Sequence, residues 1–334
     1  MLAHTHPNLM RPNPSLAISL IALLSIAAVS APDAAVDAPA LASASANPRT
    51  VHAGETELQI EVIGIDNPAR IAMLQRWAEE AARATTLPSG RFPLRTAQVE
   101  IREIDSRSTS AVPWGQTSRR EVASVLLYVR RDATYEQLRA DWTAVHEFSH
   151  LAHPYLGERG RWLAEGLASY HQNVLRARAG LLTPDDAWRR LDAGFRRGEA
   201  VDGGPTLDAM GRQRDGTMRV YWAGAAYWLE MDLRLRRDHG TTLEAVLDRY
   251  AKCCLDGTAR VAPEDFVAGL DRAGRVDMFT QTYLNYAAST AFPSLTESYR
   301  ALGIEREGEG LRFSDDKTAA GALREAMTIR ALQR

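Results

Sequence analysis

Apolar and polar residues alternate over residues 56–65, the pattern of a half-buried strand. After Pro68 the apolar positions change to Ile71, Leu74, Trp77, Ala78 and Ala81, the spacing of a helix with one buried face. Residues 97–104, with Val99 and Ile101, and residues 122–129 read as two further strands, separated by a polar loop containing Pro113, Trp114 and Gly115. From Thr134 onward helical spacing takes over. Thr134 followed three residues later by Gln137 is a capping box, which predicts a helix over residues 135–152. Further helices are predicted over 162–176, from Thr183-Pro184, over 217–237 and 242–250, and from Pro263. Strands come first and helices after, an α+β arrangement in which a mixed α/β part (50–133) with a cleft-edge strand precedes a helical part (134–304). The tail (305–334) suggests a helix over 319–331 and carries no functional signal.

Composition narrows the picture. With 45% apolar and 25% charged residues in 334, the chain has the make-up of a globular protein. Its 40 basic residues nearly cancel its 42 acidic ones, so no net charge draws it onto nucleic acid or anionic lipid. Leu16 to Val29 is apolar except for Ser19 and Ser25. It follows Arg11, ends in small residues and is shorter than the roughly 18 residues of a spanning helix. Residues 1–31 therefore read as a signal peptide cut near Ala31, giving a periplasmic or secreted protein with no lasting membrane span. Residues 32–49, mostly Ala, Ser, Asp and Pro, read as a flexible spacer. Cys253 and Cys254, the only cysteines, are adjacent, which excludes a disulfide framework and a cysteine zinc finger. They are expected to be small buried thiols. Any metal site must therefore use His, Asp and Glu.

Such a set lies inside the helix that starts at Thr134. His146-Glu147-Phe148-Ser149-His150 puts two imidazoles four residues apart, on one side of a helix, with a carboxylate beside them. A catalytic zinc needs a third protein ligand and an open position. The third histidine of the metzincin spacing is missing, because Leu156 stands there. The next helix offers Glu165 in Trp162-Leu-Ala-Glu165-Gly166-Leu-Ala168-Ser-Tyr170, and a short loop after Pro154 allows that helix to return antiparallel. His153 and His171 lie nearby and read as surface or supporting residues rather than ligands. Arg234, Arg236 and Arg237 suit a helix carboxy-terminus without any substrate.

Three motifs in order, His146-Glu-x-x-His150, Trp162-x-x-Glu165-Gly166-x-Ala168-x-Tyr170 and Tyr221-Trp-Ala-Gly224, followed by Asp232, Arg234, Arg236 and Thr241-Thr-Leu-Glu, resemble the gluzincin metallopeptidases. Within them the glycyl aminopeptidase branch is most similar, over about a third of the chain. The resemblance implies a thermolysin-like fold, one Zn2+ per chain held by His146, His150 and Glu165, and a peptide or protein substrate. It also implies Glu147 as the general base that activates water and Tyr221 as the donor that stabilises the oxyanion.

The chain also departs from the family. Pro113-Trp114-Gly115-Gln116-Thr117-Ser118 carries no acid to grip a substrate amino terminus, and neither Glu103 nor Glu121 sits in a matching motif. Nothing after Phe292 resembles the PDZ domain that often follows, and Ser169 stands where thermolysin-like relatives orient a histidine with Asp. Two other readings therefore stand beside a zinc peptidase: an inactive gluzincin-fold envelope binding protein, and a zinc hydrolase of a non-peptide amide or ester.

Overall fold

The computed structural model describes residues 48–201, 203–212 and 216–329. The expected signal peptide and all but the last two residues of the spacer lie outside them.

A five-stranded sheet forms from β1 (Arg49–Ala53), β2 (Thr56–Ile63), β3 (Thr96–Ile104), β4 (Trp114–Arg119) and β5 (Ala123–Arg130), in the order β1-β2-β3-β5-β4. The three inner strands are parallel and the two edges antiparallel. The period-2 patterns of β2 and β5 drive this layer. Leu58, Ile60 and Val62 share one buried face with Val99, Ile101, Val125 and Leu127, while the polar positions between them face away. Helix α1 (Pro68–Ala84), started by the Asn67 cap with Pro68 at its first position, lays Leu74, Trp77, Ala78 and Ala81 on that face.

Two expectations fail in this half. The strand at 49–53 escaped the sequence reading, and the stretch read as a polar loop at 113–118 is the edge strand β4, held by its ladder to β5 from Trp114 to Arg119. Edge strands are half-solvated, so their polar residues mask the alternation that marks a buried strand.

The helix expected over 135–152 is broken. Helix α2 (Tyr135–Ala140) has the Thr134–Gln137 capping box, α3 is Thr143–Ser149, and a 3-10 turn covers His150–Ala152. The break is caused by Asp141, whose carboxylate accepts the backbone N–H groups of Thr143 (2.8 Å) and Val112 (3.1 Å) and the Ser110 hydroxyl. A side chain that satisfies backbone donors in this way competes with the helix ladder and re-aims the chain.

The helical part continues with α4 (Arg161–Arg178), α5 (Pro184–Glu199), α6 (Leu207–Met210), α7 (Thr217–His239), α8 (Leu243–Cys253), α9 (Pro263–Gly274), α10 (Met278–Ala288) and α11 (Thr296–Leu302). Helices α4 and α7 pack along each other, α3 lies against α4, and α3 also meets β4. The tail forms a hairpin, β6 (Ile304–Glu307) with β7 (Gly310–Phe313), and then α12 (Ala319–Thr328), shorter than the 319–331 expected. Arg178 and Arg236 donate to the Met327 and Ala326 carbonyls, tying α12 to α4 and α7. The hairpin, α6, α10 and α11 were not predicted, because four to eleven residues carry too few periods to stand out. Cys253 and Cys254 are exposed at the end of α8 and joined to each other by a disulfide, which corrects the expectation of buried thiols. No helix among the described residues is long and apolar enough to cross a membrane.

Candidate metal centre

Every residue of α3, His146 included, is buried, and so is His150 in the 3-10 turn that follows, so both histidines point into protein rather than solvent. Their imidazole centroids lie 5.0 Å apart. Glu165, one turn into α4, brings Oε2 to 3.3 Å from His146 Nε2 and 3.6 Å from His150 Nε2. One ligand atom from each of the three residues falls within 4.8 Å of the others, and among the described residues no other trio of His, Cys, Asp or Glu meets this test. Tetrahedral ligands at the usual zinc distances are separated by about 3.3 Å, close to these spacings.

The outer ring nitrogens decide whether the inner ones can donate to an ion. His146 Nδ1 lies 2.8 Å from Gln172 Oε1, an acceptor, so Nδ1 carries the hydrogen and Nε2 presents its lone pair. His150 is fixed by a relay. His153 Nδ1 lies 2.7 Å from the Pro154 carbonyl and must donate there, which leaves His153 Nε2 as the acceptor, 3.0 Å away, for the Nδ1–H of His150. Burial, with the charge of Arg119, holds His153 well below the ordinary histidine range and keeps it neutral for this task. Both metal-facing nitrogens are thus lone pairs by construction, so the residues present fit a zinc ion.

The three groups also attract one another. Burial disfavours a charged Glu165, but the adjoining imidazoles of His146 and His150 outweigh it and hold the carboxyl well below its usual range. Burial likewise disfavours the imidazolium of His146, and the Glu165 hydrogen bond with the charges of Glu147 and Glu165 turns the net shift upward.

Glu147 faces the edge strand. The Thr117 hydroxyl sits 2.9 Å from its Oε2 and 2.9 Å from its backbone oxygen, sharing one hydrogen between them. A Cβ at Gly115 would fall 2.7 Å from Glu147 Cγ and 2.9 Å from Thr143 Cγ2, so only glycine lets β4 pass this close to the carboxylate. Tyr221, half-buried on α7, stacks on the His146 imidazole with centroids 6.0 Å apart and planes 9° from parallel, and the Arg161 guanidinium lies 6.0 Å from its ring. Burial first, then the Glu165 carboxylate, raises the Tyr221 hydroxyl far above its ordinary value, so it stays protonated as a donor. One cleft is lined by Gly115, Thr117, Glu147, Glu165 and Tyr221 together.

The five residues singled out in the sequence therefore come together. Glu103 does not join them, being bound to Arg70 (2.6 Å) and Arg131 (3.2 Å). Nor does His171, buried 3.8 Å from Glu244. The sequence reading missed Gln172, Thr117 and Arg119. Gln172 was within reach of it, since it stands seven residues after Glu165, two turns along the same helical face. Thr117 and Arg119 carry no such local signal.

Compared with solved structures, the chain superposes on an aminopeptidase N family protein from Idiomarina loihiensis at TM-score 0.54 and 15% identity, covering 77% of this chain and 49% of that one. The two share a fold. This chain spans about half the length of that protein. An M1 zinc metallopeptidase from Deinococcus radiodurans is 17% identical over 75% of this chain and 53% of its own, at TM-score 0.45. No protein-family model matches the sequence, and no curated protein does. The likeness shows a shared α+β fold and does not single out the glycyl aminopeptidase branch.

Proposed function

We propose that this chain is a zinc-dependent peptidase that cleaves peptide bonds with an activated water. The observation that carries the reading is the convergence of His146 Nε2, His150 Nε2 and Glu165 Oε2, both imidazoles held as lone-pair donors, at the floor of a cleft that also contains Glu147.

A zinc ion held there by His146, His150 and Glu165 supplies a Lewis acid that polarises a carbonyl and lowers the pKa of water to about 7. The chain's own residues do the rest. Glu147, with Oε2 steadied by the Thr117 hydroxyl, accepts the proton of the attacking water and returns it to the leaving amine. The hydroxyl of Tyr221, kept protonated by burial, donates to the oxygen that gains charge as the carbonyl is attacked. Strand β4, open along its cleft side, offers backbone groups to an extended peptide. The segment Leu16 to Val29 supports export as the setting for this activity.

Elemental mass spectrometry of the purified protein beside Glu165→Ala, with peptide hydrolysis by Glu147→Gln, tests the reading. One zinc per chain, weakened in the first variant, and a zinc-retaining second variant without turnover are the expected results. Full peptide hydrolysis by Glu147→Gln would end the assignment of that residue, and a folded, reloaded protein without zinc would end the metal reading.

A further inference from the structure

We propose that the cleft selects peptides bearing a carboxylate near the scissile bond, with Arg119 and Arg120 as the residues that read it. The proposal rests on the peptidase reading and adds its substrate class.

Arg119 closes strand β4 and lines the cleft. Its guanidinium donates to two carbonyls, Gly257 O at 3.1 Å and His150 O, and to no carboxylate among the described residues. Both partners are neutral, so the cation is held in place without being neutralised. Arg120 follows on the same rim, exposed, and likewise forms no ion pair with a described residue.

The acids in the cleft offset these charges only in part. Glu165 is committed to His146 and His150, and Glu147 to Thr117. Glu158 is the remaining carboxylate among the described lining residues. With a divalent cation in place the cleft carries an excess of positive charge. A substrate carboxylate at the Arg119–Arg120 end supplies the missing counter-charge and accepts charge-assisted hydrogen bonds, whereas a substrate ammonium there meets repulsion. That carboxylate can come from an Asp or Glu side chain or from a free carboxy-terminus.

The test uses the zinc-loaded protein with three sets of matched peptides: Asp or Glu against Asn or Gln, free carboxy-terminus against amide, and free amino-terminus against acetyl. The expected result is a kcat/KM about tenfold to a hundredfold higher for the acidic or free-acid member, carried by KM. The first two sets identify which carboxylate is read. Arg120→Glu should keep its zinc and lose that ratio, with Lys-containing peptides gaining in its place. Equal rates within the first two sets, a dominant preference for a free amino-terminus centred on Glu158, or a ratio unchanged by Arg120→Glu would overturn the proposal.

Calorimetric binding of the same peptides to zinc-loaded Glu147→Gln, with and without Arg120→Glu, separates this proposal from the peptidase reading. If nothing is cleaved, peptidase action fails. The carboxylate preference still stands if acidic peptides bind more tightly and lose that advantage with Arg120→Glu, and falls if they do not.

Discussion

Gly166 and Gly224 meet backbone to backbone where α4 crosses α7: a Cβ on Gly166 would lie 2.3 Å from the carbonyl carbon of Gly224, and one on Gly224 would lie 1.9 Å from the Trp162 oxygen. The glycines of the Trp162-x-x-Glu165-Gly166 and Tyr221-Trp-Ala-Gly224 motifs are thus the contact that lets the two helices approach. Glu165 adjoins the contact, and Tyr221 sits about one turn before it.

Alanine at either glycine must push the helices apart, because the obstructing atoms are backbone and cannot rotate away. Gly166→Ala and Gly224→Ala should each cost about 1–3 kcal/mol in chemical denaturation. Each should also lower kcat by moving Tyr221 relative to Glu165. Unchanged stability in both would mean that the crossing tolerates a methyl group.

The Gln172 and His153 contacts set the tautomers of His146 and His150. Gln172→Ala and His153→Ala should weaken zinc binding about 10- to 100-fold, read by chelator competition, without unfolding the chain. Gln172→Glu, which keeps an acceptor opposite His146 Nδ1, should restore most of the affinity.

Removing the Tyr221 hydroxyl tests it as a donor. Tyr221→Phe keeps the ring stacked on His146 and should reduce kcat by about 10² to 10³ with zinc content unchanged. A loss confined to KM would instead make Tyr221 a substrate contact.

Acid should destabilise the chain through His171. It is buried with no hydrogen-bond partner for either ring nitrogen among the described residues, and burial, the largest cause, lowers its pKa from 6.5 to about 4. Below pH 6.5 the unfolded chain takes up a proton that the folded chain refuses until about pH 4. Stability is therefore complete above 6.5 and falls as pH drops through that window, by on the order of 3 kcal/mol. Glu244 extends the loss. Burial disfavours its charge, but Arg178 and Arg236 lower it from 4.5 to about 2, so its contribution disappears between those values. Thermal unfolding against pH, beside His171→Gln, should show the upper part of the slope flattened in the variant.

What the sequence determined is what depends on neighbours along the chain. His146 and His150 share a side because four residues make about one helical turn, and Thr134 with Gln137 closes a cap within three residues. The alternation in β2 and β5 likewise marked a sheet with one buried face. Only the tertiary structure decided the rest. Asp141 breaks the expected helix because Val112 and Ser110, about thirty residues away, bring donors to its carboxylate, and no local propensity encodes that meeting. Thr117 reaches Glu147, and Arg119 reaches His150, because β4 is the sheet edge beside α3 and not the loop its polar residues suggested. The supporting shell of the site is made of contacts between segments far apart in sequence. Each such contact appears only after the apolar faces have packed and brought those segments together.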